Sequence, residues 1–167
     1  MRDIVAGIIA VALGLVALSL AATLQRVRSR RERAQASERA RGRRILAEVP
    51  AGDDLVLFSE DRARFYWGDR SIDKAVILAV RMLINGAPIA SYESRRRPRP
   101  HAAPPTSFED RPDGIAHDRW DVAIETEYGT ILVECGAIRE RVSQELARAI
   151  YDAVRQDLEG RDRVSDE

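Results

Sequence analysis

The sequence contains few of the residues from which catalytic and metal sites are usually built. Its 167 residues include one lysine, Lys74, one cysteine, Cys135, and two histidines. A single cysteine excludes an intramolecular disulfide, and two separated histidines with no cysteine beside them do not make a zinc motif. There is also no phosphate-binding glycine loop, no H-E-x-x-H and no G-x-S-x-G. We therefore expect no metal, no cofactor and no catalytic residue.

A long run without charge opens the chain. The 21 residues of Ile4–Leu24 include no charged side chain, and as a helix they span about 31 Å, close to the hydrocarbon thickness of a bilayer. This predicts a transmembrane anchor over residues 1–24. The alternative is a cleaved signal peptide, whose apolar core is usually shorter. One helix face carries only small side chains, which predicts a possible homodimer through this helix: Ala10, Gly14, Ala17 and Ala21.

A basic juxtamembrane connector follows over residues 25–51. Nine arginines lie between Gln25 and Arg44 against two glutamates, and strong helix formers predict that the helix continues into this segment. Basic flanks stay on the cytoplasmic side, so we expect a single-pass protein of the inner (plasma) membrane with a cytoplasmic carboxyl-terminal domain. The permanent charge of arginine predicts contact with the bilayer's anionic lipid headgroups. Nucleic acid is an unlikely partner, because the segment is already held against phosphate-bearing lipid. The candidate lipid-surface residues are Arg26, Arg28, Arg30, Arg31 and Arg33.

Residues 52–160 predict one small, mainly antiparallel β domain. A first hairpin pairs residues 55–58 with 64–67 across a polar turn. A later hairpin runs from Trp120 to Cys135, with Trp120, Val122 and Ile124 on one face and the intervening residues on the other. This alternation places Cys135 on the inward face, where a cysteine acts as a small buried hydrophobe.

The stretch between these hairpins permits two interpretations. As strands, 75–84 and 87–93 form a hairpin around Asn85-Gly86, the dipeptide typical of a tight turn. As a helix, residues 72–85 have Ser71 as the amino-terminal cap and Gly86 as the residue that ends the helix. The β-branched content favours the strands, and the helix stays open as an alternative that would make the domain α+β.

The remaining segments are an insertion and a terminal helix. Residues 94–119 are rich in proline and arginine and predict an irregular insertion. An apolar stripe with helical spacing predicts a helix over 139–159 that ends at Gly160, followed by a charged tail at 161–167. On its outer face we expect ion pairs three residues apart: Glu145 with Arg148, and Asp152 with Arg155.

Together these elements predict an antiparallel barrel or sandwich closed by a carboxyl-terminal helix. The order resembles the pleckstrin-homology-like domains of small bacterial membrane proteins. The resemblance rests on Ser71-Ile72-Asp73-Lys74 leading into Ile77 and Val80, on the Trp120–Cys135 hairpin and on the closing helix. It implies a binding or scaffold module without catalysis and transfers no site residue.

We therefore expect a membrane-anchored cytoplasmic binding or scaffold module for an unknown protein partner or for lipid headgroups. The alternative is an enzyme, or an accessory subunit of a membrane complex, with a site that no motif marks. A pocket of converging polar groups would favour the enzyme, and a single apolar groove would favour the binding module.

Overall fold

The computed structural model describes residues 2–51, 54–95, 119–137 and 140–164, with side chains except at 2–12, 27, 50–51 and 54–55. The chain divides into two compact units, Met1–Arg41 and Gly42–Glu167. The first unit is helix α1. The described part of the second contains eight strands, β1 to β8, and helix α2.

Helix α1 runs from Arg2 to Ala40. The predicted continuation of the helix into the arginine-rich segment is confirmed, because alanine, leucine, arginine and glutamate favour a helix and no proline interrupts them. The helix ends where Arg41 N donates to carbonyl groups of the last turn. Gly42 then adopts a φ of 74°, a left-handed conformation that glycine allows without strain.

The transmembrane prediction for Ile4–Leu24 is wrong for the residues that the structure describes. Over these residues, no helix combines the length and the apolar character needed to cross a membrane. The side chains of residues 4–12 lie outside the described set. The inner-membrane, single-pass localisation and its cytoplasmic orientation are wrong as well, because they depended on that span.

The first sheet is an antiparallel meander of four strands in the order β1-β2-β3-β4. Its strands are β1 Arg44–Ala51, β2 Asp54–Glu60, β3 Arg64–Trp67 and β4 Arg70–Asp73. The first predicted hairpin is confirmed, since Phe58 of β2 pairs with Trp67 of β3. Strand β1 lies in the segment that the sequence assigns to the connector. Ala47 and Val49 alternate along it and are buried, which brings the strand into the core.

The ambiguous stretch forms strands. A short 3₁₀ turn at Lys74–Val76 leads into β5 Ile77–Ile84, which pairs with β6 Ala87–Glu93. The hairpin interpretation is confirmed and the helix over 72–85 is wrong. Asn85 and Gly86 have φ values of 50° and 74°, as expected where a tight turn must match the right-handed twist of two strands.

The second sheet has the order β6-β5-β7-β8, where β7 is Arg119–Thr126 and β8 is Gly129–Ala137. The predicted Trp120–Cys135 hairpin is confirmed. Both faces of β7 are buried, including Asp121 and Glu125 on the face opposite the core. Arginines compensate these carboxylates, with Arg81 Nε 3.2 Å from Glu125 Oε1. The predicted insertion at 94–119 lies almost entirely outside the described residues.

Helix α2 runs from Arg141 to Val164. Its buried stripe includes Ala147, Ile150, Val154 and Leu158, as the apolar spacing predicts. The predicted end at Gly160 is wrong, because the last turn is held by tertiary hydrogen bonds to Asp162. The predicted pairing three residues apart is also wrong. The arginines pair at four residues instead: Arg141 with Glu145 and Arg155 with Glu159.

The predicted barrel is wrong, and the fold is α+β with two antiparallel sheets and two helices. Within the described residues no hydrogen-bonded ladder joins the sheets, because β4 pairs only with β3 and β8 only with β7. The sheets share one core, in which Phe58 and Phe65 stack with ring centroids 5.7 Å apart. Helix α2 packs against both sheets and covers this core.

Candidate functional site

Strand β8 lies at the edge of the second sheet, and among the described strands only β7 pairs with it. The two strands are joined by the turn Glu127–Tyr128, and Thr126 is paired with Gly129 across it. The residues that flank a two-residue turn form a hydrogen-bonded pair, and such pairs alternate along an antiparallel ladder. From Gly129 to Val133, before the register shift that follows Glu134, every second residue of β8 therefore bonds to β7.

The intervening residues of β8 direct their backbone N–H and C=O groups toward the free edge. They are Thr130, Leu132 and Glu134. Hydrogen bonds on the other side of β7 agree with this alternation. Arg119 O accepts from Asn85 N, and Glu127 N donates to Val76 O, both at 3.1 Å and both toward β5. The free edge of β8 thus carries main-chain donors and acceptors at regular spacing.

Strand β4 presents a second free edge, at the end of the first sheet. Trp67 pairs with Arg70 across a two-residue turn, so the same alternation applies. The backbone groups of Ser71 and Asp73 therefore point away from β3. The main-chain groups at both sheet edges are strong hydrogen-bonding groups that need partners or solvent.

Two cavities lie between these edges, lined by successive residues of β4 and β8. The first has a volume of about 340 Å³ and lies between the β4 strand with its following 3₁₀ turn and the β7–β8 turn. The second has a volume of about 440 Å³ and lies between the β3–β4 turn and the middle of β8. We call the two cavities together the seam groove. Its lining includes Ile72, Asp73, Val76, Tyr128 and Ile131 in the first cavity and Val56, Trp67, Arg70, Leu132 and Glu134 in the second.

The seam groove combines an apolar floor with a polar rim. Ile72 is buried, and Ile131 and Leu132 are half-buried. Tyr128, in the β7–β8 turn, is 85% exposed at the rim. Exposed tyrosines beside apolar recesses are the side chains on which binding energy is often concentrated, because they bury a large area with few rotatable bonds.

Polar side chains of the first cavity stabilise the turns around it. Asp73 Oδ1 accepts a hydrogen bond from Ala75 N at 2.9 Å and caps the 3₁₀ turn. Thr126 Oγ1 donates to Gly129 O at 2.8 Å and accepts from Tyr128 N at 3.2 Å. These contacts give both groups a role in shaping the groove walls.

A buried ion cluster supports the β4 wall of the groove. The Lys74 ammonium lies 2.8 Å from Glu60 Oε2, 3.5 Å from Asp157 Oδ1 and 4.5 Å from the centre of the Phe65 ring. Arg44 also donates to Glu60. Burial raises the pKa of the Glu60 carboxyl, and the hydrogen bonds from Lys74 and Arg44 lower it by more, so the net pKa is below its ordinary value.

The sequence does not mark this cluster, because its members come from β1, β2, β3, the 3₁₀ turn and α2. Lys74 stands out only as the single lysine. Its position immediately after β4 lets one ammonium join the first sheet to the terminal helix. The cluster therefore holds the end of β4, and with it one wall of the groove, against α2.

A second buried carboxylate stabilises the far end of the domain. Asp162 of α2 accepts hydrogen bonds from Tyr92 Oη at 2.9 Å, Ser94 Oγ at 2.9 Å and Arg95 N at 3.1 Å. Burial and the hydrogen bond to Asp162 raise the pKa of Tyr92, which keeps the phenol protonated as a donor. These contacts attach the end of β6 to the last turn of α2.

The thiol of Cys135 is buried in the core, as its place in the hairpin predicts. Its Sγ lies 3.6 Å from Val133 O. Burial raises the pKa of Cys135 to about 12, and the negative charge of Asp121 acts in the same direction. A thiol with this pKa is a poor nucleophile at neutral pH. Over the described residues, no group of three or more histidine, cysteine or acidic side chains is arranged to hold a metal ion.

The five arginines predicted to face a lipid surface all lie on α1 and are exposed. Arg26, Arg30 and Arg33 share one helix face, since they are four and seven residues apart, and Arg28 and Arg31 lie on another. Arg28 pairs with Glu32 at 3.0 Å, as its spacing predicts. Contact with anionic headgroups and pairing of two copies through Gly14 and its small neighbours stay predictions.

No known protein family, curated protein or solved structure matches this chain. The resemblance to pleckstrin-homology-like domains therefore stays a prediction. Functional inference depends on the seam groove and its neighbouring residues.

Proposed function

We propose that residues 42–164 form a binding module that receives a protein partner in the seam groove and has no catalytic role. The observation that carries this proposal is the position of the highly exposed Tyr128 at the rim of an apolar-floored groove. A monomeric fold gains little from exposing a tyrosine there, whereas an interface gains a large contact area.

The chemistry of the groove favours binding over catalysis. In the first cavity, Asp73 and Thr126 hold turns through short hydrogen bonds. Catalysis needs a nucleophile or an acid–base pair aimed at one reacting atom, with supporting donors around it. The groove instead offers apolar surface, mixed charges at the rim and two strand edges, which are the features of a peptide-binding surface.

The proposal is tested by selecting peptides from a random displayed library on the immobilised full chain and measuring their affinity by fluorescence anisotropy. Tyr128→Ala should weaken a groove-binding peptide by about tenfold or more, the loss typical of a central aromatic contact. Ile89→Ala is the matched control, because Ile89 is a half-exposed hydrophobic residue on β6, at the opposite edge of the same sheet.

Groove-dependent binding that the Ile89 variant retains supports the proposal. A selection that yields no peptide sensitive to Tyr128→Ala overturns it. Equal losses in the two variants also overturn it, because they place binding outside the groove.

A further inference from the structure

We infer that the partner binds by strand addition: an extended segment of another protein pairs with the free edge of β8 inside the seam groove. This inference depends on the proposed function and specifies how the same groove is occupied. In this mode of binding the main chain of the partner makes the hydrogen bonds to β8, and its side chains occupy the groove.

The backbone of β8 supplies the template. Thr130, Leu132 and Glu134 direct their N–H and C=O groups to the free edge. All three residues line the groove, Thr130 in the first cavity and Leu132 and Glu134 in the second. The segment from Thr130 to Glu134 is about 16 Å long, enough to pair with about five residues of an extended chain. Such a chain satisfies the alternating donors and acceptors in the way that an adjacent strand would.

The opposite wall of the groove supports the same occupant. Ser71 and Asp73 of β4 turn their backbone groups away from β3, and both residues line the first cavity together with Thr130. Main-chain groups that have no partner strand among the described residues therefore border one cavity from two different sheets. A single extended chain is the ligand whose own main chain matches this chemistry along its length.

The shape of the groove selects a peptide over a second copy of this protein. The β8 edge is recessed, because Val56, Trp67 and Arg70 of the first sheet line the same cavity as Leu132 and Glu134. In a dimer joined through β8, each copy would bring these first-sheet residues into the interface, where they would obstruct pairing of the two β8 strands. A single strand enters without that obstruction.

The side chains of the guest must alternate in character, since successive residues of a strand point to opposite faces. Residues that enter the first cavity meet Ile72, Val76 and Ile131. At these positions we expect apolar side chains, because they bury against apolar surface. The intervening positions lie beside the polar and charged rim, where polar side chains are expected.

Backbone amide hydrogen exchange of the full chain, measured by NMR with and without a Tyr128-dependent peptide, tests this inference. In the free protein the amides of Thr130, Leu132 and Glu134 should exchange faster than those of Ile131 and Val133, which bond to β7. Saturating peptide should slow exchange at the first three amides about tenfold or more, the effect of one to two new main-chain hydrogen bonds. The other two should be unchanged.

A second readout uses the peptide itself. N-methylation of alternate residues should weaken binding about tenfold at every second position, because only those N–H groups face β8. Binding that depends on Tyr128 but shows neither alternating protection nor alternating sensitivity overturns strand addition and leaves the proposed function in place. Concentration-dependent dimerisation that protects the same three amides without peptide also overturns the inference, since it identifies a second copy as the occupant.

Discussion

The single lysine should contribute more to stability than its arginine neighbour at the same carboxylate. Lys74 and Arg44 both donate to Glu60, but the Lys74 side chain is 11% exposed and that of Arg44 is 72% exposed. Replacing Lys74 by methionine keeps most of the stem and removes the charge. It leaves the buried carboxylate of Glu60 and the half-buried carboxylate of Asp157 without their shared cation.

The magnitude follows from burial. Hydrogen bonds to charged groups contribute about 1.5–3 kcal/mol, and loss of one partner of a buried pair costs more than loss of an exposed one. Glu60 retains Arg44, so we expect Lys74→Met to lower the free energy of unfolding by about 2–3 kcal/mol. Arg44→Met should lower it by less than about 1 kcal/mol, because an exposed pair is screened by solvent.

Urea unfolding of the full chain, followed by circular dichroism, measures both values. The denaturant slopes should match between variants, so that the shift in midpoint reports stability alone. If Lys74→Met costs no more than Arg44→Met, the ion cluster does not hold β4 to α2, and the explanation of the groove wall fails.

Three further predictions concern other parts of the domain. The pKa of the Glu60 carboxyl lies below its ordinary value in the folded state, so this carboxylate stabilises the folded state at neutral pH and its contribution is lost as the pH falls through the folded pKa. Urea midpoints measured between pH 3 and pH 7 should therefore decrease toward the acidic end of this range, and less steeply in Glu60→Gln. Asp162→Asn should cost about 2 kcal/mol because a buried acceptor of three hydrogen bonds loses its charge; an unchanged urea midpoint would count against this role. Gly160→Ala should raise the free energy of unfolding by about 0.5–1 kcal/mol, and with it the thermal midpoint, because Gly160 is helical with open space around it. Gly136→Ala should lower the free energy of unfolding by about 1 kcal/mol or more, since the φ of Gly136 is 108° and the added Cβ would lie 2.6 Å from Ser143 Oγ. Equal shifts in the two glycine variants would contradict the backbone geometry at these positions.

Local chemistry predicted the elements whose signals lie within one short segment. The Asn85-Gly86 turn and the β-branched residues before it predicted the β5–β6 hairpin, because turn conformation and strand propensity both act over a few residues. The alternation after Trp120 predicted the β7–β8 hairpin for the same reason. The apolar stripe of α2 was visible because a helix repeats its buried face every three to four residues.

The predictions that are wrong concern elements whose structure depends on residues distant in sequence. Gly160 would end an isolated helix, but Asp162 accepts hydrogen bonds from the end of β6 and extends α2 by another turn. The arginines at its start place β1 in the predicted connector, whereas its position in the sheet depends on pairing with β2, which lies later in the chain. The predicted barrel is wrong because no ladder among the described strands joins β4 to β8. Such pairing depends on how segments distant in sequence are arranged in three dimensions.

By itself, the sequence determined the three hairpins and the apolar face of α2, because those preferences are set by neighbouring residues. Only the tertiary structure determined the candidate site. The Trp120–Cys135 hairpin was visible in the sequence, but no local pattern could show that Tyr128 of its turn lines one cavity with Ile72, or that Leu132 lines another with Trp67. These residues come together because two sheets share one core under α2, and in the described part of the chain this packing leaves the edges of β4 and β8 without a partner strand beside a groove.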